Sequence, residues 1–244
     1  MIERQIEIDT QDGRMNTFIC HPERAAPHPA IILFMDAPGI REELRDMARR
    51  LGTAGYYVML PNLYYRSGVE ELGPFVGEAH LATRQKLMDL MRTINISMVM
   101  PDVDALIAFA AKDPAASIRD MGCVGYCMSG PYAINAAVRH PLRIRAAASI
   151  YGVALVTDKP DSPHLAAQHT AARLYFGCAE TDVYAPPEMI DALRAEIART
   201  RGNAEVEVYA RTQHGFAFPQ RPVYDKPAAE RHWERLLALF GESL

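Results

Sequence analysis

Residues 122–132 read "GCVGYCMSGPY": an apolar run closes on Gly125-Tyr126-Cys127-Met128-Ser129-Gly130, and helical spacing follows. Cysteine suits a tight, glycine-flanked turn in two cases: as buried filler, the role of most free cysteines, or where the turn exists to present its sulfur. A strand that turns sharply into a helix leaves the residue between them at the carboxyl end of the sheet, where open α/β sheets bind ligands. The backbone there is strained and crowded, so small residues on both sides are a steric requirement. Gly125 stands two before Cys127, and Ser129 and Gly130 stand two and three after it. The pattern is G-x-C-x-[small]-G, the cysteine form of a nucleophile elbow. At the start of a helix, the positive end of the dipole and nearby N–H groups favour a thiolate over a thiol.

A nucleophile on such a turn is followed in the chain by an acid and then a histidine. "LYFGCAETDVYAPPE" (174–188) places Asp182 in a loop just after a strand, and "VYARTQHGFAFP" (208–219) places His214 in a loop after the next one. Both lie at the carboxyl edge that carries the elbow. His214 would manage the thiol proton, and Asp182 would fix its tautomer and steady the imidazolium. Glu180, two residues away, is a rival acid; Asp182 is favoured by its distance beyond the strand. Among the eight histidines, His21, His28, His80 and His232 have polar or loop surroundings, His140 ends a helix, and His164 and His169 fall in a polar connection. All seven read as surface or capping residues. Cys123 and Cys178 read as core, and Cys20 as packing in a hairpin.

The 244 residues, 49% hydrophobic and 23% charged, suffice for one sizeable core and are short for two. A formal net charge of -4 with no long basic run gives no footprint for nucleic acid or an anionic membrane. The expected partner is a small molecule, with the chain a monomer or homodimer. "MIERQIEIDT" lacks the apolar centre of a signal peptide and no run of about 18 apolar residues follows, so a cytoplasmic protein is expected. The four cysteines show no CxxC spacing and no zinc-type cluster.

Apolar periodicity alternates between short β-type and longer helical runs, the signature of helices on a mostly parallel sheet. "RQIEID" and "MNTFICH" form an opening hairpin, and "AIILFMD" (30–36) a buried strand. "REELRDMARRLGTAG" is an amphipathic helix stopped by Gly55, and "YYVMLPNLYYR" a strand and its exit. "AHLATRQKLMDLMRTI" is helical, and "PDVDALIAFAAKD" is a helix with Pro101 at its start. After the strand "MGCVGY" and the elbow come helix "YAINAAVRH", strands "RAAASIYG" and "ARLYFGCA", helix "PEMIDALRAEIART", strand "AEVEVYA" and helix "AAERHWERLLALF". Residues 67–97 are the candidate lid or pocket-covering segment.

In order along the chain, "ILFMDAPGIREELRDMARRLGTAGYYVMLPNLYYR", "VGYCMSG", "IYG", "FGCAETDVYAPPE" and "QHGFAF" resemble the dienelactone hydrolase family of the α/β-hydrolase superfamily, over about residues 5–240. The resemblance implies a single-domain α/β-hydrolase fold, with a mostly parallel central sheet and helices on both faces. It implies Cys127 as nucleophile, with Asp182 and His214 completing a triad. It also implies an oxyanion hole formed by the N–H groups of Met128 and Ala37; Pro38 has no N–H to offer. The family has a glutamate where this chain has Asp36, a residue that takes up the thiol's hydrogen at rest and moves when substrate arrives. The plain alternative for Asp36 is a cap for the helix that follows. In members that open dienelactones, an arginine shortly after the histidine holds the substrate carboxylate. Here Phe218 stands at that place and an aromatic ring cannot pair with carboxylate, so a less charged ester or lactone is expected. Arg41, Arg66 and Arg84 are the substitutes, each with a surface role as its commoner reading.

The expected activity is cysteine-dependent hydrolysis of carboxylic esters or lactones through a thioester, with no metal or organic cofactor required. Two alternatives stay open: acyl transfer from the same thioester to an alcohol or amine, and a non-catalytic α/β domain that binds a ligand or senses oxidants through Cys127.

Overall fold

The computed structural model describes residues 1–24, 27–73, 80–199 and 203–244. Its contacts gather into two compact units, Met1–Ser117 and Ile118–Leu244.

The first unit opens with β1 (Ile2–Thr10) and β2 (Gly13–His21), an antiparallel hairpin in which Ile8 faces Met15. β3 (His28–Phe34) follows, then α1 (Glu42–Thr53) and β4 (Tyr57–Pro61), which pairs antiparallel with β2 and parallel with β3. Leu44, Met47, Ala48 and Leu51 recur at three- and four-residue spacing along α1 and are all buried, so one stripe of the helix is core. Gly55, at φ +111°, takes a backbone conformation that side chains disfavour, which is why the helix stops there. The end of α1 lies against β2: a Cβ on Gly52 would come 3.3 Å from Cys20 Sγ, so Cys20 is packing, as expected of it.

α2 (His80–Arg92) and α3 (Ile96–Ala110) complete this unit. Pro101 does not open α3, as its sequence suggested, but falls inside it. Asn95 supplies a better start, because its side-chain oxygen accepts the Met98 N–H at 3.0 Å. Among the described residues no single helix is long and apolar enough to cross a membrane, although α2 and α3, bent 82° at their junction, reach that length together.

β5 (Ala116–Tyr126) begins at the boundary and carries the second unit's sheet. α4 (Gly130–Arg139), β6 (Ile144–Ile150), the short α5 (Pro163–Ala166), β7 (Arg173–Thr181), α6 (Pro187–Ile197), β8 (Ala204–Gln213) and α7 (Lys226–Gly241) follow. β5, β6, β7 and β8 pair in that order, all parallel. Parallel strands bring every carboxyl end to one edge, and the residues after β5, β7 and β8 are Cys127, Asp182 and His214. β6 contributes Ala146, Ala147 and Ala148, fully buried and small, which lets α4 sit close to the sheet. The fold is α/β with mostly parallel strand pairing.

Candidate active site

β5 passes into α4 through a single 3-10 turn, Cys127–Ser129. Cys127 sits at φ +57°, in the left-handed region. For a residue with a side chain this costs on the order of 1–3 kcal/mol and persists only where the surroundings impose it. Here they do. The Tyr126 N–H donates to Ser129 Oγ at 2.9 Å, the Ser129 hydroxyl donates to the Tyr126 carbonyl at 3.0 Å, and the Val153 N–H donates to the Cys127 carbonyl at 3.1 Å. A Cβ on Gly125 would lie 2.0 Å from the Ser129 carbonyl oxygen, and one on Gly130 would lie 2.3 Å from Ser149 Oγ. Both glycines are therefore required by close approach.

His214 and Asp182 meet across the ends of β8 and β7. The His214 Nδ1–H donates to Asp182 Oδ2 at 2.7 Å, and the Tyr184 N–H donates to Asp182 Oδ1 at 2.9 Å. The Asp182 side chain is fully buried and that of His214 is 12% exposed. With Nδ1 committed, Nε2 carries the exchangeable proton. Nε2 is buried and meets no partner at full hydrogen-bonding geometry among the described residues. Cys127 is nonetheless near enough to act on the ring. Burial opposes the imidazolium, but it is outweighed by the hydrogen bond to Asp182 and by hydrogen bonding and charge from Cys127, so the His214 pKa is pushed up to about 9. Tyr151 and Tyr184 stand edge-on to the imidazole, with ring centroids at 5.1 and 4.9 Å.

The rival acid is elsewhere: Glu180 Oε2 accepts the Arg211 N–H at 2.7 Å on the exposed side of the strand ends. All four cysteines are buried, Cys127 among them, and Cys123 donates to the Ala133 carbonyl at 3.2 Å. Burial pushes the Cys20 and Cys178 thiols up to about 12, and the Cys123 thiol higher. None of these three is poised to ionise near neutrality. Met128, directly after Cys127, is buried in the same turn. Among the described residues no group of His, Cys, Asp and Glu is arranged to hold a metal ion.

In the first unit, Asp36 is fully buried and its carboxylate is taken up by Arg41, with NH1 to Oδ1 at 2.5 Å and NH2 to Oδ2 at 3.2 Å. Arg41 also holds Glu43 through two bonds, at 3.0 and 2.8 Å, and donates to the Gly39 carbonyl. Asp36 does not cap α1, whose N-cap is Arg41 itself with no side-chain bond. Arg41, expected at the surface or on substrate, is instead committed to two carboxylates. Ala37 is buried, and its carbonyl accepts the Tyr64 hydroxyl at 2.7 Å. Arg66 is bound to Asp102 and Asp12, and Arg84 is exposed on α2.

Phe218 has no exposed surface; it packs on Tyr126 and Tyr151 at 5.4 and 6.2 Å. It therefore offers no face to a substrate, because the aromatic layer behind His214 encloses it. Of the candidate lid, residues 74–79 lie outside the described residues, and α2 buries little beyond Thr83 and Leu90. Three of the histidines expected at the surface are buried. His21 stacks on Tyr57 at 5.4 Å, His28 is its neighbour, and His232 lies on the core face of α7 with Ala229, Trp233 and Leu236. For His232 the signal was available in the sequence, since a spacing of three and four from apolar residues outweighs polar neighbours.

The model of the dienelactone hydrolase family matches residues 15–244. The chain belongs to the dienelactone hydrolase family. It is thereby a hydrolase acting on ester or lactone bonds. A protein of Methylorubrum extorquens whose provisional name is carboxymethylenebutenolidase is 27% identical over 99% of this chain and 81% of its own length. An Escherichia coli protein with the same provisional name is 27% identical over 96% of this chain and 85% of its own. Among solved structures, a provisionally named dienelactone hydrolase from Klebsiella pneumoniae superposes with a TM-score of 0.84 at 23% identity, over 98% of both chains. The family match covers β5 to α7 completely, so the elbow, Asp182 and His214 all lie within it.

Proposed function

We propose that this chain hydrolyses carboxylic esters or lactones through a thioester on Cys127, with His214 as proton carrier and Asp182 as its orienting acid. The observations that support the reading are a cysteine held at φ +57° on the turn between strand and helix, and an imidazole that is bound to a buried carboxylate and whose proton affinity is raised by Asp182 and Cys127.

Cys127 Sγ attacks the carbonyl carbon, and the Met128 N–H, the donor that the turn itself supplies, faces the developing oxyanion. As the tetrahedral species collapses, the bond from carbonyl carbon to alkoxy oxygen breaks, and the leaving oxygen takes the proton from His214 Nε2. An alcohol departs from an ester; from a lactone the new hydroxyl stays on the acyl chain. His214, now neutral, takes a proton from water at Nε2, and the hydroxide adds to the thioester carbonyl. Sulfur leaves as thiolate beside the renewed imidazolium. Asp182 stays ionised throughout, holding Nδ1–H so that Nε2 does the transfer. The test is turnover of a panel of activated esters and lactones by the native protein, Cys127→Ala and Cys123→Ala. Loss in Cys127→Ala alone is expected; equal turnover in all three would remove Cys127 from the mechanism.

A further inference from the structure

His232, on the core face of α7, has no exposed surface. A buried imidazole costs more than leucine or phenylalanine in the same space unless its nitrogens are used. Both are used. Nδ1 faces the Ala229 carbonyl one turn back in the same helix, which makes Nδ1 the protonated nitrogen and Nε2 an acceptor. The Tyr126 hydroxyl donates to that Nε2 at 3.0 Å, across 106 residues of chain. Tyr126 is the residue before Cys127. Its ring lies 5.4 Å from Phe218 and 5.8 Å from Tyr151, and Tyr151 stands edge-on to His214 at 5.1 Å. One side chain thus adjoins the backbone of the nucleophile and the aromatic layer behind the base.

We propose that His232 is a positioning residue for the reaction: by fixing the Tyr126 hydroxyl it holds the elbow and the aromatic layer in one register, so that Cys127 Sγ and His214 Nε2 meet in attacking geometry. The inference rests on the reading of Cys127 as nucleophile. The bonds between Tyr126 and Ser129 secure the turn on its helix side. The Tyr126 ring is packed against Phe218 and Tyr151. The bond to His232 anchors its hydroxyl end as well, and so adds a directional hold on the residue before Cys127. A displacement of about 1 Å at the reacting atoms costs on the order of a hundredfold in rate, so even a small relaxation of this anchor reaches the chemistry.

The test compares Tyr126→Phe, His232→Leu and the double variant, with Cys127→Ala alongside. Each single variant strands a polar group in the core, whereas the double variant leaves an apolar pair, so its stability returns towards wild type. Three quantities are read: the urea midpoint, the rate of Cys127 alkylation by iodoacetamide, and kcat and KM on p-nitrophenyl acetate. Expected is a double variant that regains its midpoint yet keeps a loss of about tenfold or more in kcat and alkylation, with KM within about twofold of wild type. A merely structural role would restore rate with stability, so a double variant with wild-type midpoint and wild-type kcat overturns the inference. Should the double variant not fold, His232→Gln decides, since it keeps an acceptor for Tyr126. A kcat within about threefold of wild type supports the role, and a loss equal to that of His232→Leu overturns it. Turnover retained in Cys127→Ala would instead defeat the nucleophile reading, and the inference with it.

Discussion

His214 Nδ1 and Asp182 Oδ2 lie 2.7 Å apart, and the other oxygen of the same carboxylate is held by the Tyr184 N–H. The carboxylate is thus fixed at both oxygens before any substrate arrives. Asp182→Asn removes the charge and presents an amide that favours the wrong imidazole tautomer, so kcat/KM on an activated ester falls by about a hundredfold or more. Glu180→Gln, whose partner is the Arg211 N–H, stays within about threefold. Equal losses in the two variants would show that the acid has been misassigned.

The same pair makes stability depend on pH. Burial lowers the affinity of His214 for its proton, but Asp182 and Cys127 together push its pKa up to about 9, against about 6.5 unfolded. The folded protein holds a proton that the unfolded chain releases, so the stabilisation is fully present below about pH 6.5 and is lost as pH rises through about 9. Its size is on the order of 3 kcal/mol at most. Urea midpoints of wild type and His214→Gln should converge across that window, and parallel curves would contradict the assignment.

Gly125 has no room for a methyl group, since its Cβ would meet the Ser129 carbonyl oxygen at 2.0 Å. Gly125→Ala is expected to cost about 2–4 kcal/mol or to prevent folding, because the atom in the way is backbone. Gly241→Ala, at the end of α7 with nothing within 4 Å of its Cβ, should be neutral or stabilising by about 0.5 kcal/mol. Denaturant melts of the two variants check the contrast.

Tyr184 is half exposed and meets the His214 imidazole edge-on at 4.9 Å, and Val183, next to it in the chain, is largely exposed. Tyr184→Ala should raise KM for an aromatic or long-chain ester by about fivefold, the worth of about 1 kcal/mol of apolar contact. It should leave KM for the acetate ester within about twofold. A uniform rise for both esters would mean that the ring serves the histidine and not the substrate.

Asp36 is bound through both oxygens by Arg41. Removing one partner of a buried ion pair leaves the other uncompensated, so Asp36→Ala should cost about 3 kcal/mol, and Asp36→Ala/Arg41→Met should recover much of it. If Asp36 serves that pair, both variants alkylate Cys127 within about threefold of the wild-type rate. A tenfold fall in both would assign the carboxylate to the thiol after all.

The elbow was legible because close packing leaves so little choice. Gly125 and Gly130 face atoms 2.0 and 2.3 Å from a hypothetical Cβ, and only glycine satisfies that. Asp182 and His214 were legible because parallel strands deliver their following residues to one edge. Side-chain partnerships were not. Arg41 stands next to "EEL", a sequence that suggests a surface helix, yet it turns back to a carboxylate five positions earlier. His232 sits among charged neighbours in sequence, and its burial follows from helical phase alone. The start of α3 was misread because Asn95 offers a cap that overrides the usual place of proline.

The central claim is that Cys127 carries the acyl group, and trapping that species tests it most directly. Native protein quenched in acid within the first turnover of p-nitrophenyl acetate is digested and its peptides are weighed. An acetyl adduct on the peptide containing Cys127, absent from Cys127→Ala and accumulating with burst kinetics, is the expected result. Turnover at the wild-type rate in Cys127→Ala, or an adduct confined to another residue, would contradict the account.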